Sequence, residues 1–391
     1  MLSFLKRVFR PATALLALFT LAACEDMPAT TRAVDPNAPV VVALLVPLGS
    51  GNAVTDQLGQ SLVNAARMAQ GDVRGANIDL RVYETGGNAE MATSAATRAV
   101  AEGAQIIVGP LFSPATTAAA SVARAAGINV LSFSNNPAIA GGNVFIMGTT
   151  FDTVADRLVS YSVGQGMNRF AVVNQDGLEG EAGRAAVSAA VTRNGGNIVT
   201  TASYSLNFQE LSDRADQIAA QLKSSGANAV FFTDSPLQGL GFVTAQLSTA
   251  SYRQGRNAQF MGLTRWDTSS DLLNAPSMEG GWFAVPDPDL SAQFDARYLT
   301  AYGTEPHNLS GLAYDAVAAI GAMIASARQS GAASAFAVDR ITNPAGFAGV
   351  NGIFRFNFDG TNQRGLAIMQ VGTGTASVIS PAPRFFGASG S

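Results

Sequence analysis

The chain predicts an α/β fold made of two doubly wound, Rossmann-like lobes joined by hinge crossings. Three observations carry this reading. Short β-branched runs alternate with Ala-rich helical stretches from residue 40 onward. The alternation halts near residue 150 and then starts afresh. No period of about 20 to 50 residues repeats, which sets aside a solenoid. Two successive sets of right-handed βαβ units build two similar lobes.

Val40–Val46 is a continuous apolar run, suited to a strand buried on both faces, and Pro47-Leu48-Gly49-Ser50-Gly51 is its exit loop. Leu58, Leu62, Ala65, Ala66 and Ala69 mark the next helix, Ile78–Tyr83 a strand and Ala89–Ala101 a second helix. Ile106-Ile107-Val108 is a strand stopped by Gly109-Pro110. Ser113 stands where a helix N-cap belongs, with Pro114 at the first helical position. Gly127 ends that helix, and Asn129–Phe133 begins another buried strand. Phe145–Met147 adds one more, and Gly148-Thr149-Thr150 reads as a first crossing.

In the second lobe, helices are predicted over 154–163, 181–193, 211–222 and 237–247, with strands over 170–174, 198–204, 229–233 and 260–263. Trp282–Val285 is placed as a crossing back, and Leu312–Ala327 as a long helix. Ile353–Phe358, the turn Asp359-Gly360 and Leu366–Val371 read as a hairpin. The expected division is residues 40–149 plus 284–335 for the first lobe and 150–283 plus 336–375 for the second. Residues 376–391 are expected to form a loose tail.

The start is a targeting segment. Lys6, Arg7 and Arg10 form a basic region, and Ala14–Leu21 an apolar one too short to span a membrane. Leu21-Ala22-Ala23-Cys24 resembles the lipobox of bacterial lipoproteins, which implies cleavage after residue 23 and lipidation of Cys24. Removing residues 1–23 takes away three basic and no acidic residues, leaving 21 basic and 28 acidic, net −7. That balance argues against nucleic acid as a partner. Cys24 is the single cysteine, so neither disulfides nor thiol chemistry are expected. Residues 24–39 read as a flexible tether.

Enzyme chemistry finds little footing. Past residue 23 the chain has one histidine, His307, and one lysine, Lys223. There is no Cys/His cluster for zinc, no G-x-S-x-G elbow and no P-loop. His307 follows Pro306 in a polar loop and reads as a surface residue. No catalytic residue, metal or cofactor is expected.

A binding edge is better supported. Ser50 and Asn52 follow the first strand, Ser113 the third, and Ser134 with Asn135 the fourth, so all gather on the carboxyl edge of one sheet, where ligands sit in open α/β folds. Small hydroxyl and amide groups beside helix N–H groups suit a carboxylate. Asp234, Thr264, Trp266 and Asp267 occupy the matching edge of the second lobe. There Asp234 reads either as a ligand group or as a helix cap, and Trp266 as exposed recognition surface.

At this point Val42–Ser50 with Gly59, Gly109-Pro110-Leu111-Phe112-Ser113, Ser132–Pro137 and Tyr314-Asp315-Ala316-Val317 resemble the leucine-binding-protein type of bacterial type I periplasmic binding proteins. The similarity covers roughly residues 40–375. It implies two lobes joined by three crossings that close on a ligand. It also implies that Ser113 holds a ligand carboxylate and that Ser134 and Asn135 fall on the Ala-Thr pair that does the same. Amino-acid binders place an aromatic residue before the glycine matching Gly59, where this chain has Leu58. They place an acidic residue for the ammonium where this chain reads Thr264-Arg265-Trp266. An α-amino acid would then need Asp234 or Asp267 as counter-charge.

Tyr83–Glu90, Gly103–Leu111, the lipobox and Arg265-Trp266-Asp267 also resemble the lipoprotein activators of penicillin-binding proteins. Longer members of that group carry a helical-repeat domain without counterpart here. The resemblances imply a non-enzymatic lipoprotein with a small polar ligand between its lobes, lipid-anchored to the inner or outer membrane on the periplasmic side of a Gram-negative bacterium. Its partner is expected to be a penicillin-binding protein, in regulation of peptidoglycan synthesis. The alternative is an ABC permease, in import of amino acids or related solutes. A cleft hydrolase of cell-wall material is the remaining class.

Overall fold

The computed structural model describes residues 38–387. The expected signal peptide, Cys24 and the expected tether up to residue 37 lie outside the described residues, as do residues 388–391 of the expected tail.

The chain begins with β1 (Val40–Val46), α1 (Ala53–Asp72), β2 (Ile78–Glu84), α2 (Ala89–Ala101), β3 (Ile106–Val108), α3 (Ser113–Ala125), β4 (Val130–Ser132) and β5 (Val144–Ile146). The strands form a parallel sheet in the order β2-β1-β3-β4-β5. β3, β4 and β5 are buried throughout and β1 nearly so, which is why they read as unbroken apolar runs rather than alternating ones. Asn52 starts α1 by accepting from the Val54 and Thr55 amides, and Asn88 starts α2 by accepting from Met91 N. The order reverses between β1 and β3, and ligands sit outside the carboxyl ends of strands at such a switch point.

The second series runs α4 (Phe151–Gly164), β6 (Arg169–Gln175), α5 (Leu178–Arg193), β7 (Asn197–Tyr204), α6 (Phe208–Ser225), β8 (Ala229–Phe232), α7 (Leu240–Thr249), β9 (Gln259–Gly262), α8 (Ser270–Leu273) and β10 (Trp282–Val285). Then come α9 (Pro288–Tyr302), α10 (Ser310–Ser330), α11 (Val338–Ile341), β11 (Phe347–Gly349), β12 (Gly352–Phe356), β13 (Asn362–Arg364), β14 (Ala367–Val371) and β15 (Ala376–Ser380). The second sheet has seven strands in the order β15-β14-β10-β9-β8-β6-β7, with β14 alone reversed, antiparallel to both β10 and β15. The two-lobe α/β architecture read from the sequence is the one observed.

Four local expectations are corrected. Trp282–Val285 is β10, parallel to β9 within the second sheet, and the crossing follows it at Pro286-Asp287. β12 pairs with β13, not with the 366–371 segment, which leaves as β14 to join β10. Residues 376–380 are no loose tail, because β15 hydrogen-bonds along β14. Phe336, Ile341, Val350, Phe354 and Phe356 pack into the first lobe's core with α1 and α10, not into the second lobe.

α9 is an element the sequence reading lacks. Its signals are present: Asp287 accepts from the Asp289 and Leu290 amides, Pro288 opens it, and Gly303 closes it in the left-handed conformation. α10 is apolar enough over its length to cross a membrane, yet 72% of that window is buried, as befits a core helix.

Candidate functional site

A cavity of about 670 Å³ opens between the carboxyl ends of the two sheets. Ser113, Ser134 and Asn135 line it from the first lobe, and Thr264 lines it from the second. The first-lobe shelf is held from several sides. Ser113 Oγ and Ser134 Oγ lie 3.2 Å apart, Asn136 Nδ2 donates to Ser113 Oγ at 3.3 Å, and the Asn136 amide donates to Ser134 Oγ at 3.2 Å. Gly148 lets the first crossing press against this shelf, since a Cβ there would sit 2.8 Å from the Asn135 nitrogen. Ser113 is the first residue of α3 rather than its cap. Phe112 occupies the cap position and makes no side-chain bond there, so the Ser113 hydroxyl remains with the shelf. The first amides of a helix lack partners within it, although in α3 the residue after Ser113 is Pro114, which has no N–H to offer.

The opposite wall is the loop after β9. Thr264 Oγ1 donates to the Asp234 carbonyl at 3.1 Å. Arg265 lines the cavity and donates to both Asp267 oxygens through one edge of its fork, Nε at 3.0 Å and Nη2 at 2.6 Å. Burial would lower the Arg265 guanidinium, but hydrogen bonding and attraction from Asp267 outweigh it and hold it above its ordinary range.

Four expected site residues stand elsewhere. Trp266 is fully buried in the second lobe's core, its indole laid against Gly262 and Gly281 and 5.9 Å from the Phe283 ring. A Cβ at Gly262 would meet the indole nitrogen at 2.1 Å, so the glycine makes the slot. Asp234 is fully buried, accepting from Tyr204 Oη at 2.5 Å and from the Gly239 amide at 3.0 Å. Burial raises its carboxyl, outweighing the Tyr204 hydrogen bond. Ser50 closes the β1–α1 loop on Asp56 at 2.7 Å. Asp267 is taken up by Arg265 and does not line the cavity.

The structure adds residues that sequence reasoning missed. Arg364 lines the cavity with its side chain 1% exposed. Its Nε donates to the Met147 carbonyl at 2.9 Å and its Nη1 to Asp315 at 3.3 Å. Asp315, in the second turn of α10, also accepts from the Val350 and Asn351 amides. Burial pushes Asp315 up and Arg364 down from their ordinary ranges, against their mutual attraction. His307 is exposed, as its polar loop predicts, but it also borders the cavity, and partial burial lowers its imidazole. Leu58, Phe151, Leu263 and Leu366 give the cavity apolar walls. Among the described residues that line it, none is Asp or Glu. No described group of three His, Cys, Asp or Glu side chains is placed to hold a metal.

The Periplasmic binding protein family matches residues 39–376. The chain belongs to that family. No protein of curated function matches it by sequence. Among solved structures, it resembles a Rhodospirillum rubrum protein assigned to branched-chain amino acid ABC transport, with TM-score 0.73 and 20% identity over 88% of this chain and 100% of that one. A Desulfitobacterium hafniense ABC transporter substrate-binding protein in complex with Leu gives TM-score 0.62 and 19% identity, covering 88% and 100%. An R. palustris solute-binding protein in complex with benzoate gives 0.57 and 17%, covering 90% and 98%. At these identities the likenesses carry the fold. The family and these neighbours are binding proteins rather than enzymes, and family membership implies a periplasmic location.

Proposed function

We propose that this periplasmic binding protein is the lipid-anchored, solute-capturing component of an ABC importer, and that its solute is a small organic acid with an apolar body and no ammonium. The observation that carries this reading is the charge of the cavity. Hydroxyls offer a carboxylate shelf at Ser113 and Ser134, Arg265 and Arg364 stand in the wall already paired with Asp267 and Asp315, and no described acidic side chain lines the space. An ammonium buried there without a counter-charge would lose several kcal/mol. The two acids nominated for that task, Asp234 and Asp267, are engaged with Tyr204 and Arg265. The benzoate-bound neighbour has a ligand of the proposed kind.

A thermal-shift panel tests this. An acid at ~100 times its dissociation constant should add ~2.7 kcal/mol of stability, while neutral and zwitterionic analogues add little. Stabilisation by amino acids alone would overturn the reading. Ser113→Ala is expected to weaken binding of a stabilising acid about tenfold to a hundredfold, the range for a hydrogen bond to a charged group. Unchanged affinity would remove Ser113 from the site.

A pH dependence follows from His307. Its folded value lies below its ordinary one, so the imidazole is neutral near neutral pH. An anion in the same cavity favours the charged imidazole, so binding takes up a proton. Affinity is expected to rise as pH falls from about 7 to about 5. The free protein shows the opposite trend in stability, because the unfolded chain binds a proton there that the folded one resists. Titration calorimetry in buffers of different ionisation heat measures the uptake, and zero uptake would place the ligand away from His307.

A second reading has its own observation. Leu178, Leu206, Phe208 and Leu237 follow the carboxyl ends of β6, β7 and β8 and are largely exposed, Leu178 at 93% and Leu237 at 88%. Such apolar exposure suits a protein contact, as an activator of a penicillin-binding protein would need. Capture of a penicillin-binding protein from detergent extract by the anchored chain, lost in Leu178→Asp/Leu237→Asp, is its expected result. Failure of that capture would leave the importer reading alone.

A further inference from the structure

We propose that residues 381–387 form a strap across the back of the hinge, a fourth connection between the lobes that is fastened to the first lobe by side-chain contacts alone and that resists closure of the cleft. The family match ends at residue 376, so the strap lies beyond the matched fold. It starts in the second lobe. Arg157 of α4 donates to Ser380 Oγ at 2.6 Å and to the Pro381 carbonyl at 3.4 Å, and Ala382 is buried in that lobe's core. It ends on the first. Arg355 of β12 stacks its guanidinium 4.5 Å over the Phe386 ring, and a Cβ at Gly346 would meet that ring at 3.0 Å. In between it touches two of the crossings. Arg384 Nη1 lies 3.2 Å from Asp287 Oδ2, and a Cβ at Gly365 would sit 3.1 Å from Pro383 Cγ.

The side on which the strap lies sets the sign of its effect. In the second and third crossings Pro286, Arg364 and Leu366 line the cavity. Asp287 and Gly365, which the strap touches, do not, and neither does any residue of the strap. The strap thus runs along the face of the crossings turned away from the ligand space. Closure is a rotation about those crossings. It narrows the cleft on one side and widens the gap on the other, which pulls the two ends of the strap apart. Pro381 and Pro383 fix φ on either side of Ala382, so the chain has little slack to yield. The fastenings are of the weak, solvated kind, with the Arg384 side chain 60% exposed, so a ligand can undo them. Such a device lowers the fraction of closed chains before ligand arrives, and apparent affinity falls by that fraction.

Pulsed electron-resonance distances between spin labels on Val54→Cys and Leu237→Cys test this, on the mature chain with Cys24→Ser. Both labelled sites are exposed, one on each lobe. Two variants cut the strap. One is a stop after Ala382, which keeps the residue buried in the second lobe, and the other is Arg384→Ser/Phe386→Ala in the chain at full length. The expected result is a shift of the ligand-free distance distribution toward shorter separations in both. A merely structural role would lower the unfolding midpoint and leave those distances where they are. If benzoate or 4-methylpentanoate binds the native chain, its affinity should rise about threefold to tenfold when the strap is cut. Unchanged or longer separations in either folded variant overturn the strap, and so does an affinity that stays level or falls. A native chain that binds neither acid fails the organic-acid reading alone, because the distances are measured without ligand and still decide this proposal.

Discussion

Asp315→Ala is expected to lower the free energy of unfolding by about 3–5 kcal/mol, the loss seen when one member of a buried ion pair is removed. Asp315 and Arg364 are 0% and 1% exposed, so water cannot replace the missing partner. The substitution also strips an acceptor from the Val350 and Asn351 amides, which begin the β11–β12 turn. Those residues lead into the β12–β13 hairpin and so into the third crossing, which places the damage at the hinge rather than at a surface. Urea unfolding measures it. A change below about 1 kcal/mol would mean that the pair is hydrated and that α10 is not fastened to the crossings through it.

Trp266→Ala is expected to cost about 3–5 kcal/mol, the range for emptying a buried aromatic site. The indole fills a slot between Gly262 and Gly281, and a rigid sheet edge cannot collapse into the space it leaves. Ligand affinity should fall much less than in Ser113→Ala, because Trp266 does not line the cavity. Loss of binding with stability intact would return Trp266 to the recognition surface.

How much of this was legible in the sequence depends on what each signal encodes. Strands buried on both faces announce themselves as apolar runs, so β1, β3 and β8 were plain, and so was the two-lobe alternation. Ser113 and Ser134 were legible because a strand end fixes where a following side chain lies. Trp266 was misread because its burial depends on glycines four residues before and fifteen after, and a side chain's exposure cannot be told from its neighbours in a loop. Asp234 was ambiguous for the same reason: its partner Tyr204 comes from a different strand. Arg364 was invisible. Its neighbourhood reads as an ordinary edge hairpin, and only the meeting of β13 with α10 and the first crossing makes it a buried cation paired with Asp315. α9, by contrast, carried its signals openly in Asp287-Pro288 and Gly303.

The cleft's want of a counter-charge for ammonium is the claim on which the functional reading turns. Titration calorimetry with leucine and with 4-methylpentanoate, the same skeleton without its amino group, isolates that charge. The expected result is binding of 4-methylpentanoate at least about tenfold tighter than leucine, since an unpaired buried ammonium is costly. Tighter binding of leucine would contradict it.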